Sequence, residues 1–324
     1  MLRVLHFRSF WTARAALAAT LLLCLAAPEP ASAQDCRAVV DAFNKAVDAG
    51  RESEAQRLAD QISIDARCGH FQVPAQRRLA AFRLAAAQFM MARGRPVSDY
   101  ERMLSEAERA QVLWQASATL AEVRFGERRF ADAARAFDRA IEIVKNETFT
   151  PTPPSKFEIE GLVDRSAQSR LLAANVRPGQ EGDGFVKTAR NERDGRLGGF
   201  YSESVRGVVP RALPVPITFE YRKADLTPAG QEAARELANA LKEQRPGKIV
   251  LVGHTDVRGT PDGNVRLSRE RAEAVAAFLR ADGVEAQVEV VGKGATEPMA
   301  LADTSGLTQD DIYALNRRVE WRRD

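Results

Sequence analysis

Histidine and cysteine are scarce in this 324-residue sequence, three of each, and neither an HExxH nor a CxxC spacing occurs. A zinc site therefore has no ligand set to draw on, and neither a metal nor another cofactor is expected. An excess of one charge is also missing: Lys+Arg 47 against Asp+Glu 44 gives a formal net charge of +3. Without a basic field, counterion release cannot drive binding to nucleic acid, so no nucleic-acid partner is expected. Long apolar runs are absent beyond the N-terminal region, which excludes a transmembrane segment in the processed chain. What remains is globular: 45% hydrophobic and 28% charged residues, enough for about two domains of roughly 150 residues.

The start of the chain reads as an export signal. Arg3, Arg8 and Arg14 form a basic leader, Ala15 to Ala27 is an apolar run too short to span a bilayer, and Ala31-Ser32-Ala33 offers small residues for a peptidase. Residues 1–33 are assigned to a signal peptide that takes Cys24 with it. Cys36 and Cys68 then enter an oxidising compartment, where a disulfide closing the first helical hairpin is expected. The spacing leaves free buried thiols open as the alternative.

Residues 34–150 carry helical periodicity, with apolar side chains at helical steps: Val40, Phe43, Val47; Leu79, Phe82, Phe89; Phe130, Ala133, Phe137, Ala140, Ile141, Val144. Breaks at Gly50, Gly69 to Pro74, Gly94 to Pro96 and Gly126 divide the stretch into about three hairpins. Within it, Phe130-x-x-Ala133-x-x-x-Phe137-x-x-Ala140 resembles the second helix of a tetratricopeptide repeat. That resemblance implies an all-α, TPR-like module that binds a partner protein of the cell envelope. Residues 151–215 are rich in Pro and Gly and read as a linker, interrupted by one helix from about Lys156 to Asn175 that caps the helical array.

From residue 216 to 324 the pattern becomes α+β, a small mixed four-stranded sheet with helices on one side. The expected strands are Ile217 to Phe219, Lys248 to Gly253, Val288 to Val291 and Arg317 to Arg322. Lys248 to Gly253 reads as a central strand buried on both faces. Thr227-Pro228 opens one helix, and a second runs from about Asn264 to Ala281, stopped by Asp282-Gly283.

Asp256 lies just past the central strand, where loops commonly build binding sites. Arg271 falls in an apolar helical stripe with Leu267, Val275 and Phe278, so its charge needs an anion. Arg317 shares a strand face with Val319 and Trp321 by period two. One carboxylate and two inward guanidiniums suit a zwitterion, whose ammonium and carboxylate each find an opposite charge. An internal Asp256–Arg271 salt bridge explains the same residues, and both readings stand at this point.

Four blocks in order shift that balance: Gly253-His254-Thr255-Asp256-Val257-Arg258-Gly259; Asn264 to Ala272; Gly292-Lys293-Gly294 with Glu297-Pro298; and Asn316 to Glu320. Together they resemble the OmpA-like peptidoglycan-binding domain. The resemblance implies non-covalent binding of the diaminopimelate residue of the stem peptide, with Asp256 on the ammonium and Arg271 on the carboxylate. Thr255, Asn264, Leu267 and Arg317 stand where the family lines its pocket. Glu220, in Phe219-Glu220-Tyr221, replaces the family's shorter Asp, and Gly263 replaces an aromatic residue.

The sequence therefore reads as a non-catalytic, periplasmic anchor that holds peptidoglycan, associated with the cell wall or outer membrane and preceded by a protein-interaction module. A second reading makes the helical repeats the functional part, with the wall domain a tether or a pocket that has lost its ligand. A wall hydrolase is the third; it lacks a nucleophile placed to partner His254, and no catalytic residue is assigned.

Overall fold

The computed structural model describes residues 31–175, 185–191, 194–301 and 303–323, with side chains from Cys36 onward. The expected signal peptide, except for its last three residues, lies outside them, as does Cys24. Two compact units divide at Met103 and Leu104, and no helix among the described residues is long and apolar enough to cross a membrane. That division does not coincide with the expected boundaries at 150 and 215.

The first unit contains α1 (Ala31–Asp48), α2 (Glu52–Ile64) and α3 (Gly69–Ala92), built around Phe43, Ala46, Ala55, Ile62 and Leu79. Gly50, at φ +70°, makes the left-handed turn that ends α1. Cys36 and Cys68 are joined in a disulfide that ties the start of α1 to the start of α3. The expected break from Gly69 to Pro74 is not there: α3 runs straight through Pro74. In the second turn the ring removes only the bond to the carbonyl of His70, and the long stretch from Ala75 to Ala92 carries the helix. Helix α4 (Val97–Arg109) spans the division between the units.

The second unit opens with α5 (Trp114–Gly126) and α6 (Phe130–Lys145), packed together and joined by a tight turn in which Arg128 takes φ +64°. Helix α7 (Lys156–Ala174) starts at a capping box made by Ser155 and Glu158. It packs on α6 and also meets strand β1 (Ala212–Val215). The stretch read as a linker is therefore partly core: Val186, Phe200, Tyr201 and Val205 are buried in it. Its glycines serve turns, as at Gly199, where φ is +49° and a Cβ would strike the Asp138 side chain.

Then follow α8 (Pro228–Gln244), β2 (Lys248–Gly253), α9 (Pro261–Ala281), β3 (Gln287–Gly292), α10 (Gln309–Asn316) and β4 (Val319–Arg323). The sheet order is β1-β4-β2-β3, with β2 and β3 parallel and the other pairs antiparallel. The region is thus α+β with a small mixed sheet, following the all-α region in the chain. Three strand expectations need correction. The first strand is Ala212–Val215 rather than Ile217 to Phe219, of which only Phe219 makes an isolated bridge, to Leu226. Its Pro214 and the following Pro216 disguise it, and an edge position is where a strand tolerates proline. The last strand starts at Val319, leaving Arg317 as the C-cap of α10. Strand β2 is central, but Ile249 and Leu251 are fully buried while Val250 is only half-buried, so one face is covered more completely.

One hydrophobic cluster runs from Phe125 and Phe137 through Ile159 and Leu171 to Leu213, Leu251, Leu279 and Trp321. Helices α5 to α7 and the sheet thus share a core. At its edge the Arg128 guanidinium forks onto Asp311, at 2.7 and 2.9 Å, in the capping box of α10.

Candidate ligand-binding site

Strand β2 ends at Gly253, and that glycine sets the site's depth. A Cβ there would lie 1.9 Å from the carbonyl oxygen of Ser268, so only glycine lets α9 approach the strand end this closely. The loop that follows is stitched at both sides. His254 N–H donates to Arg318 O at 2.9 Å, Thr255 N–H to Gly294 O at 2.9 Å, and Gly294 N–H to Ser268 Oγ at 2.9 Å. Thr260 caps α9 by accepting from Gly263 N–H, with Pro261 in the first turn, so the helix begins three residues before the expected Asn264. Asn264 is buried in that turn and donates to the carbonyl of Asp256 at 3.2 Å, which fixes the loop on the helix.

Asp256, 6% exposed, is thereby held at the mouth of the loop. Its Oδ1 accepts from the Arg258 backbone N–H at 3.0 Å and from Arg258 Nε at 3.1 Å. Its Oδ2 accepts from Arg258 Nη2 at 2.6 Å and Arg317 Nη1 at 2.9 Å. Burial pushes the carboxyl pKa up, yet the hydrogen bonds from Arg258 and Arg317 outweigh it and bring it down to about 2.

Arg271, also 6% exposed, is not paired with Asp256, which removes the internal salt bridge as an account of it. Its Nε donates to the carbonyl of Lys223 at 3.0 Å, and its guanidinium lies 5.1 Å from the centre of the Phe219 ring. Among the described residues no carboxylate is within ion-pair distance of it, and its two terminal nitrogens have no protein acceptor. Burial, followed by the like charge of Arg317, lowers its pKa to about 10, against an opposing pull from Asp256. It stays cationic at neutral pH.

Of the residues read from the sequence, Asp256, Arg271, Arg317, Asn264 and the buried Thr255 converge around the end of β2. The Thr255 hydroxyl is buried without a hydrogen-bond partner. Leu267 is half-buried on α9, one turn before Arg271. Glu220 is exposed in the loop between Phe219 and Leu226, and its side chain makes no ion pair or hydrogen bond among the described residues. Two residues were missed. Arg258 makes three of the four bonds to Asp256, and Tyr313 carries the Arg258 guanidinium 4.6 Å from its ring centre. The Asp-x-Arg spacing was visible, but nothing in a lone exposed Arg distinguishes a partner from solvated surface.

Behind the loop, His254 is fully buried with Nε2 3.5 Å from Glu320 Oε2. Glu320 also accepts from Arg318 at 2.6 and 2.9 Å and from Arg322 at 2.9 Å. Burial raises the Glu320 pKa, but His254, Arg318 and Arg322 hold it well below the usual carboxylate range. The histidine is thus locked beneath the loop rather than presented to the pocket. One group with metal-ligand proximity occurs among the described residues, Cys36, Asp65 and Cys68, and its sulfurs are consumed in the disulfide.

Residues 218–309 match the family model described as OmpA family. The chain is 37% identical over 109 residues to a probable lipoprotein, YiaD, of Escherichia coli, a match covering 33% of this chain and 48% of that protein. It is 39% identical over 106 residues to the peptidoglycan-associated lipoprotein of Pseudomonas putida, covering 32% of this chain and 60% of the relative. The chain therefore spans about half to three-fifths of these relatives. Among solved structures, the peptidoglycan-associated lipoprotein from Burkholderia pseudomallei is 31% identical, with 35% of this chain and 89% of that one covered at a TM-score of 0.28. The C-terminal region is an OmpA-like domain, preceded by a helical region.

Proposed function

We propose that the protein is an exported, non-catalytic cell-wall anchor whose OmpA-like domain, residues 216–324, holds peptidoglycan non-covalently by the diaminopimelate residue of its stem peptide. The observation that carries this reading is the buried Arg271 guanidinium, which has no acidic partner among the described residues although it lies near Asp256. A buried cation left without an anion is costly, and a ligand carboxylate received by its terminal nitrogens offsets that cost. Asp256 takes the ammonium of the same ligand, and the surplus of guanidiniums over carboxylates favours a ligand richer in carboxylate than in ammonium. Asn264 and Thr255 hold the loop, while Arg317 orients the Asp256 carboxylate.

The names of the relatives, two of them peptidoglycan-associated lipoproteins, support a wall-binding role. They also favour a location in the periplasm against the wall or outer membrane, as does the leader-like composition of residues 1–33. Catalysis is not part of the reading, because the buried His254 faces Glu320 rather than a nucleophile. The helical region serves as a TPR-like platform for an envelope protein. Binding of the purified protein to diaminopimelate-type sacculi, and its loss in Arg271→Ala with the fold intact, tests the assignment. Undiminished binding by the variant would reject it.

A further inference from the structure

Asp256 has about four acceptor positions, and the protein fills all of them: three from Arg258 and one from Arg317. Arg271, in contrast, has no acceptor on either terminal nitrogen among the described residues. The site is therefore asymmetric before any ligand arrives, ready for a carboxylate but closed to an ammonium. The two arginines on Asp256 differ in how easily they can leave. Arg317 is the more enclosed, with its side chain 31% exposed, and sits at the helix end held by the Arg317 N–H to Tyr313 O bond. Arg258 is 54% exposed, on an open loop next to Gly259, and its guanidinium already lies 4.6 Å from the Tyr313 ring centre while it caps Asp256, a contact that does not depend on the carboxylate.

We propose that Arg258 is a displaceable stand-in for the ligand's ammonium: its side chain caps Asp256 in the free protein and swings off into solvent beside the Tyr313 ring when an ammonium takes its place. This rests on the zwitterion reading of the site and adds a specificity element to it. A ligand bearing only a carboxylate engages Arg271 and leaves the cap closed. A ligand bearing both charges exchanges one charge-assisted set of bonds for another, so binding depends on the ammonium being in register with the carboxylate. The backbone N–H of Arg258 stays on Oδ1 in either state, which keeps the carboxylate oriented while the side chain moves.

The test measures binding of free meso-diaminopimelate by calorimetry to the processed full-length protein, wild type against Arg258→Gln, with Arg258→Ala as a second variant. The Asp256 carboxyl is titrated by NMR in the same proteins without ligand. Removal of the competing cap is expected to tighten binding about two- to fivefold, the range of an exposed ion pair. The Asp256 titration is expected to move to higher pH. Binding by the variants alone would support the cap equally. Wild-type binding that is unchanged or weaker in both variants would overturn the cap while leaving the wall-binding reading in place. An unmoved Asp256 titration would overturn it as well, because Arg258 would not be paired in solution. Failure of all three proteins to bind would remove the diaminopimelate reading and the cap with it.

Discussion

Asp256 and Arg271 lie near each other at the end of β2 with opposite consequences for the free protein. Asp256 neutralises two guanidiniums, whereas Arg271 is a buried cation held, among the described residues, by a hydrogen bond to a backbone carbonyl and the Phe219 ring. Arg271→Ala is therefore expected to change stability by less than about 1 kcal/mol while abolishing wall binding, since the lost hydrogen bond and the relieved desolvation oppose each other. Thermal melting checks the first part, and a drop of many degrees would point to an internal partner. Asp256→Asn is expected to cost about 1 kcal/mol at neutral pH, given the partial exposure of Arg258. The folded-state pKa of about 2 lies below the ordinary value of 3.8, so this contribution is complete above about pH 4 and disappears as pH falls through 2. The melting difference between wild type and Asp256→Asn should shrink over that window; a difference constant from pH 5 to 2 would contradict the assignment. Asp256 and Arg271 stood out in the sequence because charge at a strand end or in an apolar stripe is anomalous, whereas Arg317 stood out for a strand face it does not occupy, since it caps α10. Arg258 did not, because its partner is set by loop geometry.

Caps decided which elements could be read. Thr227-Pro228 marked the start of α8 correctly, and Thr260-Pro261 carries the same signal for α9, yet Asp262 and Gly263 look like loop and moved the expected start to Asn264. Strand β1 went unread because its pairing with β4 is long-range and its two nearby prolines suggest a turn. The contact of α9 with β2 depends on Gly253, and Gly253→Ala is expected to destabilise the second unit by about 2–4 kcal/mol, because the obstruction is backbone rather than a movable side chain. Chemical denaturation measures this, and a variant of near wild-type stability would mean that α9 shifts freely. In the first unit, the disulfide closes a separation of 32 residues, and its replacement by Cys36→Ser with Cys68→Ser is expected to cost about 3–4 kcal/mol on chain-entropy grounds. An unchanged melting transition of that unit would refute it.

Composition gave the α and α+β regions but misjudged the ground between them. Pro and Gly content suggested a linker, whereas Phe200, Tyr201 and Val205 are core and α7 packs on both α6 and β1. Buried side chains inside a glycine-rich stretch leave no periodic trace, so only the fold exposes them. A fragment of residues 216–324 lacks β1 and should be markedly less stable than residues 104–324; equal melting temperatures would restore the separable-domain picture. A grip of the OmpA-like domain on the wall through an acid and an arginine at the end of β2 is measured most directly by co-sedimentation of the purified processed protein with diaminopimelate-type sacculi, wild type beside Asp256→Ala. Wild type is expected to pellet with the sacculi while the folded variant stays in solution. Equal pelleting of the two, or a folded wild type that remains in the supernatant, would contradict it.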